Sequence, residues 1–586
     1  KIMKIKHLFG LAVIAAMTAS CSSNEDLGTA GPGTGTNEAG VGYATFTINL
    51  PSVSGTRAAD AGGAEMNEGT EEEYAVKSAT ALIFQKYGSD EGSYKFVESV
   101  TLPIDGWTDD TTPGITTTAK KLVAKLTNVD TKNDYSVLIL LNNTKVALPT
   151  VGQSYNDWNS KNILTLSATD WAGSDGFYMA NAPLKGSAAS PATLVPIDKA
   201  KIYASEAKAK EDASTSAATV YVERGVAKMT VATPGTTGTI IVKDKATPTA
   251  TTKKSEVKFS NWALDITNKK TFAVHNIDGL SSDFSTIWAT DPSNRFIGTN
   301  NRVYWGKDPN YKNDDLKLKD KDADREAEFN FIDATSKIDK DFGETNPVYC
   351  LENTFNLANM YQGQTTRVIF KATYTPKDDT GADLADTGGT FYTIGNMTTI
   401  LKFTDLKTAV DAAADAVLPG CVVDYKNLEK AGSHVITLED IKENASSTTH
   451  LDGATKYGTG LKTGEDIVAA INDKLGLKAG RPEEMVGINT YLNGVTYYIA
   501  RVKHFGDDKT HWSSGSAYDG HNDKYLGRYG MLRNNWYELK VGNVYGPGYP
   551  GVPPVDPTLP DDENEKYLSV SVKILSWAKR SYTVDL

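Results

Sequence analysis

Apolar and polar positions alternate along much of this chain, most clearly near its two ends. In the stretch from Tyr43 to Leu50, Ala44, Phe46, Ile48 and Leu50 fall on one face of an extended chain. From Lys566 to Leu586, Leu568, Val570, Val572 and Ile574 share one face, with Ser569, Ser571 and Lys573 on the other. The pattern resumes at Tyr582, Val584 and Leu586 after the polar break Lys579-Arg580-Ser581. Period-two alternation rich in β-branched residues predicts half-buried strands at both places. The final one follows Gly546 to Pro560, too rich in Pro and Gly for strand or helix, which reads as a semi-rigid tether. A tethered apolar strand can close its own sheet or fill a groove in another molecule.

Between the ends the pattern stays β-like. Glu71 to Gln85 ends in a buried-looking strand, Tyr94 to Leu102 reads as another, and Asp170 to Pro183 contains a short one. Tyr135 to Asn143 is apolar on both faces, as an interior strand must be. Val220 to Val231 reads as a strand split at Gly225 by a bulge. A boundary beside it gives an N-terminal domain over 58–222 and a C-terminal domain over 223–586. Further strands are expected at Glu256 to Ile266, Thr271 to Asn276, Arg302 to Gly306 and Thr366 to Tyr374. Asn493-Gly494, between Thr490-Tyr491-Leu492 and Val495 to Val502, signals a hairpin. Amphipathic periodicity predicts two helices, Phe403 to Val417 and Glu465 to Leu475. The expected class is mainly β, with β-sandwich domains carrying small helical insertions.

Charge and the N-terminus change the picture. Over 586 residues the net charge is −12, which gives nucleic acid no electrostatic reason to bind. Lys4 and Lys6 precede an apolar run, Leu8 to Met17, too short to span a bilayer, and then Thr18-Ala19-Ser20-Cys21. Residues 1–20 therefore read as an export signal with Met3 as its start. Cys21 after small residues is similar to the bacterial lipoprotein box and is the expected lipidation site, an anchor in the outer membrane. The polar tag Ser22 to Asp26 resembles that of surface lipoproteins of Bacteroidota. Arg57 is the one Lys or Arg between Lys6 and Lys77, and it lies in a Gly-rich, small-residue stretch. The Arg57–Ala58 bond is thus a target for a trypsin-like, Arg-specific protease, with residues 21–57 as a propeptide carrying the first strand.

Catalytic and metal motifs are missing from the pattern. None of the seven histidines has HExxH or paired spacing, and the three at His504, His511 and His521 read as a wet loop. Asp320 to Asp324 starts like a calcium loop, but Arg325 stands where Gly is required and Phe331 where Glu is. Asp308 to Glu328 reads as a solvated charged insertion. There is no GxSxG, GxGxxG or Walker loop. The expectation is no enzyme, no catalytic residue, no metal and no cofactor. Cys350 and Cys421 are expected to be separate buried thiols.

A lipidated export signal, a detachable first strand ahead of a lone Arg and a tethered last strand belong together. With Tyr43 to Gln85, Gly176 to Asn181, Val222 to Lys228, Tyr304 to Tyr311, Tyr349 to Thr354 and Arg533 to Tyr537, they resemble the fimbrillins of Bacteroidales, and among these the Mfa-type shaft subunit of minor fimbriae. The resemblance implies two transthyretin-like β-sandwich domains and assembly of a type V pilus by strand exchange, for adhesion and biofilm formation. Carried over, the cut falls at Arg57–Ala58 and the donor strand is Lys566 to Leu586, bearing Leu568, Val570, Val572, Ile574, Tyr582, Val584 and Leu586. Other fimbrial subunits, including anchor and tip proteins, are the implied partners. Rival expectations are an anchor or tip subunit, a surface glycan-binding lipoprotein using Trp107, Trp158 and Trp512, and a hydrolase with unrecognised carboxylates.

Overall fold

The computed structural model describes residues 35–37, 39–51, 66–67, 69–105, 119–185, 191–211, 216–247, 254–283, 285, 302–311, 322–354, 356–397, 399–457, 463–480, 486–504, 526, 529–555, 557, 559, 561 and 568–577. The alternation at the start becomes strand β1, Gly42–Asn49, and Ala44, Phe46, Ile48 and Leu50 are all buried. In chain order follow β2 (Met66–Asn67), β3 (Ala79–Gln85), β4 (Lys95–Thr101), β5 (Ala119–Leu126), β6 (Tyr135–Leu141), β7 (Met179–Asn181) and β8 (Ala218–Arg224). All but β2 join one sheet, in the order β1, β8, β7, β6, β3, β4, with β5 also paired to β1. β6 is buried at every position, as its unbroken apolar run requires. One core takes side chains from β1, β5 and β8 together with β3, β6 and β7, so the sheet curls over itself.

The second half contributes β9 (Val226–Val231), β10 (Glu256–Asp265), β11 (Val348–Leu351), β12 (Arg367–Thr375), β13 (Phe391–Ile394), β14 (Ile488–Tyr491), β15 (Val495–Arg501), β16 (Asn535–Val544) and β17 (Leu568–Trp577). One sheet runs β2, β17, β16, β9, β11, and another runs from the short strand Thr239–Ile241 through β10 and β12 to β15. A second core lies between them, with Met229, Tyr537 and Leu539 on one side and Phe259, Trp262, Phe370 and Tyr498 on the other. This is sheet-on-sheet packing. The chain is mainly β, as expected.

Both predicted helices form, α1 at Phe403–Val417 and α2 at Gly464–Leu475. Thr463 caps α2, accepting from the Asp466 N–H at 3.2 Å, and Gly476 ends it in the left-handed region at φ 67°. Leu406, Val410, Ile467 and Ile471 bury one face of each helix in a separate core.

Four local expectations are corrected. Gly225 is not a bulge within one strand: β8 and β9 belong to different sheets, and the chain passes between them there. A Cβ at Gly225 would lie 2.5 Å from the Trp171 ring, so the crossing needs glycine for space. Asn493 and Gly494 do make a turn, at φ 53° and 74°, but not a hairpin. β14 pairs with β13, whereas β15 pairs with β12. The dipeptide fixes local backbone but not which strands pair on either side of it. Arg302 to Gly306 makes an isolated bridge to Leu184 instead of a ladder, with Val303, Tyr304 and Trp305 packed in a small core of their own. Asp308 to Tyr311 is buried, not solvated.

Candidate strand-exchange site

β1 occupies an interior slot. Along one edge it pairs antiparallel with β5 from Gly42 to Asn49. On the other it meets Ile202–Tyr203 and then runs parallel to β8, from Phe46 opposite Ala218 to Asn49 opposite Tyr221. Thr45 donates to the Ala209 carbonyl at 2.9 Å, and Asn49 Nδ2 to that of Val220 at 3.3 Å. Phe46 and Ile48 are fully buried, each worth about 1.5–3 kcal/mol. Removing β1 would leave apolar side chains and two rows of backbone groups without partners.

The chain leaving β1 goes to a different sheet. β2 pairs parallel with β17, Met66 opposite Ser576 and Asn67 opposite Trp577. Arg57 and Ala58 lie between β1 and β2 in sequence, and they and Cys21 fall outside the described residues. A break at that bond would part a strand of the first sheet from the rest of the chain.

The predicted last strand closes its own sheet within the single chain. β17 runs antiparallel to β16, with Leu568 opposite Val544, Val570 opposite Val541, Val572 opposite Leu539 and Ile574 opposite Tyr537. Among the described residues its other edge meets β2 alone. Tyr582, Val584 and Leu586 lie outside the described residues.

The stretch before it is not a free tether. Tyr498 and Tyr491 donate their hydroxyls to the carbonyls of Gly546, at 2.8 Å, and Gly548, at 3.0 Å. Tyr549 bridges Tyr497 through backbone bonds of 2.8 and 2.9 Å. Arg367 donates to the Pro553 carbonyl at 2.8 Å, and the Asp561 N–H reaches the Met360 carbonyl at 3.2 Å. Proline removes donors but leaves carbonyls, and tyrosine and arginine on β12, β14 and β15 satisfy them. The linker is thus pinned as far as Asp561. Its length in sequence overstates its reach.

Buried charges at the seam between the halves went unread in the sequence. Glu73 meets Lys228 at 2.7 Å and accepts from the Tyr349 hydroxyl at 2.5 Å, while Arg224 Nε donates to the Glu73 carbonyl at 2.7 Å. Burial works to raise the Glu73 carboxyl, but Lys228 pulls it below its usual value. Nearby, Glu223 takes Arg302 and, at 2.8 Å, His275 Nδ1. Burial opposes ionisation there as well, yet Arg302 and His275 hold the carboxyl down to about 2. Each pair joins elements far apart in sequence and locks the two halves in register.

Other candidate chemistry recedes. Trp158 is buried and donates to the Ala147 carbonyl at 2.8 Å, so it offers no sugar platform. Trp107 and Trp512 fall outside the described residues, as do His511 and His521. His504 is buried, its Nδ1 2.7 Å from the Tyr537 hydroxyl, which corrects its assignment to a wet loop. No group of three or more His, Cys, Asp or Glu among the described residues could hold a metal ion. Cys350 and Cys421 are separate buried thiols, pushed up by burial to about 12 and about 11.

Residues 489–583 match the family described as major fimbrial subunit protein type IV, fimbrillin, C-terminal. The match takes in β15, β16 and β17, and it is to a structural fimbrial subunit, not to an enzyme. Two solved proteins of Parabacteroides distasonis, each named as a candidate cell adhesion protein, align at 9% and 12% identity. The first alignment covers 91% of this chain and 97% of the other with a TM-score of 0.35, the second 92% and 99% with 0.33. No curated protein matches the chain.

Proposed function

We propose that this chain is a shaft subunit of a cell-surface fimbria that polymerises by exchanging strands after a protease removes its first one. In this reading the precursor is held at the outer membrane through lipid on Cys21, and an Arg-specific, trypsin-like protease cuts at Arg57–Ala58. Residues 21–57 leave with β1, and two transthyretin-like domains, 58–222 and 223–586, remain. The emptied slot takes Lys566 to Leu586 of another copy. Each copy gives and receives, so the contact is head-to-tail and generates a filament for adhesion and biofilm formation.

The observation that carries the reading is the position of β1: interior to its sheet, yet joined to the rest through the segment that holds Arg57. The energetics favour exchange over retention. In its own sheet β17 has one long partner, β16, and the two residues of β2. The β1 slot offers two flanking edges, β5 and β8. A strand moving from the first place to the second trades one ladder for nearly two and fills a buried apolar groove.

Limited trypsin treatment of the precursor, followed by N-terminal sequencing and a non-boiled gel, tests this. The expected product starts at Ala58 and runs as a ladder of detergent-resistant oligomers, while Arg57→Ala stays a lipidated monomer. Wild-type ladders from Arg57→Ala would place the cut elsewhere. A chain starting at Ala58 that stays monomeric would sink strand exchange itself.

A further inference from the structure

The two residues of β2 lie along the outer edge of β17, at its C-terminal end, Met66 opposite Ser576 and Asn67 opposite Trp577. A ladder that short has little stability of its own, so the chain on either side must hold it. On the C-terminal side it does. The Thr70 N–H donates to Glu73 Oε2 and the Glu73 N–H to the Thr70 carbonyl, both at 3.0 Å, which closes 70–73 into a turn. Glu73 and Lys228 are 0% and 1% exposed, and their 2.7 Å ion pair ties that turn to β9, while the Tyr349 hydroxyl ties it to β11. Arg224 of β8 and Asn142, just after β6, hold the carbonyls of Glu73 and Ala75 at 2.7 and 2.8 Å. The same row of the second sheet runs on to the last strand. Tyr349, Lys228, Trp536 and Leu575 are opposed in turn across β11, β9, β16 and β17, and Lys228 Nζ lies 3.5 Å from the centre of the Trp536 ring. The chain from Glu73 back to Asn67 therefore passes from β9 to the far side of β17. On its N-terminal side β2 is tied to β1 through the segment that contains Arg57.

We propose that β2 and the Glu73 turn form a latch on the last strand, which keeps β17 in its own sheet while the chain is whole and slackens when Arg57–Ala58 is cut. The latch rests on the strand-exchange reading for its purpose, though not for its contacts. In the uncut chain β2 lies between two anchors, β1 in the first sheet and the Glu73 pin at the seam, so pairing with β17 orders little that is not already held. After the cut its N-terminal side becomes a chain terminus, and termini fray. The pin survives, because Glu73 stays with the mature chain; the second anchor is lost. One cleavage then acts twice, releasing β1 from its slot and easing the departure of β17. A donor strand loose before any slot is open would leave the edge of β16 to pair with whatever strand it met, and the latch prevents this.

Hydrogen exchange of the full chain, read by mass spectrometry on segments 568–577, 226–231 and 42–49, tests the latch without any polymer. In uncut protein, Met66→Pro with Asn67→Pro removes both main-chain donors of β2 and alters no charge. Exchange at 568–577 should rise at least threefold, while 226–231 and 42–49 keep their rates. Wild type cut at Arg57, kept dilute enough to stay monomeric, should show the same rise at 568–577. Glu73→Gln strands Lys228, so some loss of stability at the seam is expected, but 568–577 should gain more than 226–231. An equal gain in both would overturn the part given to Glu73. Unchanged exchange at 568–577 in the proline pair, or after the cut, would overturn the latch. Exchange as expected in a cut protein that forms no ladder at any concentration would refute polymerisation by strand exchange and leave the latch standing.

Discussion

Glu223 shows at the scale of one residue how the seam depends on charge. Its carboxylate lies between Arg302 and His275, and both side chains of the Arg302 pair are almost wholly buried. Glu223→Gln keeps the volume but strands a buried guanidinium, so a loss of about 3–5 kcal/mol is expected in urea denaturation. The pH dependence has a fixed sign. Glu223 sits at about 2 when folded against an ordinary 4.5, so its stabilisation is complete above 4.5 and is lost as pH falls toward 2. Asp308 has the opposite sign. Burial pushes it from 3.8 to about 7, so its contribution is complete below 3.8 and is lost as pH rises through 7. Denaturation midpoints at pH 2.5, 4.5 and 7 should show an acid limb in the wild type that is flattened in Glu223→Gln. An unchanged limb in that variant would remove Glu223 from the account. These groups were illegible in the sequence because their partners lie 52 and 79 residues away. An isolated Glu in Val-Glu-Arg reads as a solvated strand residue, and only the fold makes it an ion trap.

The elements were legible wherever the pattern itself was local. β1, β6, α1 and α2 follow from apolar spacing within a single stretch, and each forms close to where it is expected. Their pairing was not legible: period-two alternation says which face of β17 is apolar but not whose sheet it joins. The Pro-rich linker was misread for a related reason, since its anchors are tyrosines and an arginine from distant strands. If β17 donates, it must first leave β16, and a covalent lock between them tests that step directly. Val541 and Val570 are directly opposed in the antiparallel register. Opposed strand residues stand about 4.5–5.5 Å apart at Cα, within disulfide range. Val541→Cys with Val570→Cys should therefore oxidise, and the protein cut at Arg57 should then stay monomeric until a reductant releases the oligomer ladder. Deleting 566–586 is a blunter test, because it also uncovers the β16 edge. Oxidised protein that polymerises as fast as the reduced form would exclude departure of β17 as the donor step.

At the scale of the whole molecule the helical module has a core of its own, joined to the rest through Gly432–His434, which pairs antiparallel with β14, and through Ile400, which packs against the sandwich core. β13 and β14 pair antiparallel, with Ile394 opposite Ile488 as their last registered pair, and the Gly395 N–H reaches the Gly487 carbonyl at 2.9 Å. Residues 395–487 therefore stand where a tight turn would join two neighbouring strands. Their core, built on Leu406, Val410, Ile436, Ile467 and Ile471, is distinct from the one between the sheets. The sequence announced the two helices but not this placement, because the closing pair of the neck is formed by residues about ninety positions apart, beyond the reach of local periodicity. Loop-closure entropy rises only slowly with length, so an insertion of this size costs the sandwich no more than about 3–4 kcal/mol relative to a short turn. Replacing 395–487 with an Asn-Gly turn should leave a folded chain. Tyr392, Ile394 and Ile488, which pack on the lost core, would need polar substitutes to stay soluble. Phe391 and Tyr491, stacked at 4.4 Å, remain with the sandwich core and hold the shortened hairpin. The polymer formed after cleavage at Arg57 should then show an unchanged ladder spacing in subunit number but a smaller mass per step. Loss of the ladder with the sandwich still folded, as judged by circular dichroism and melting, would mean that the module itself takes part in contacts between subunits.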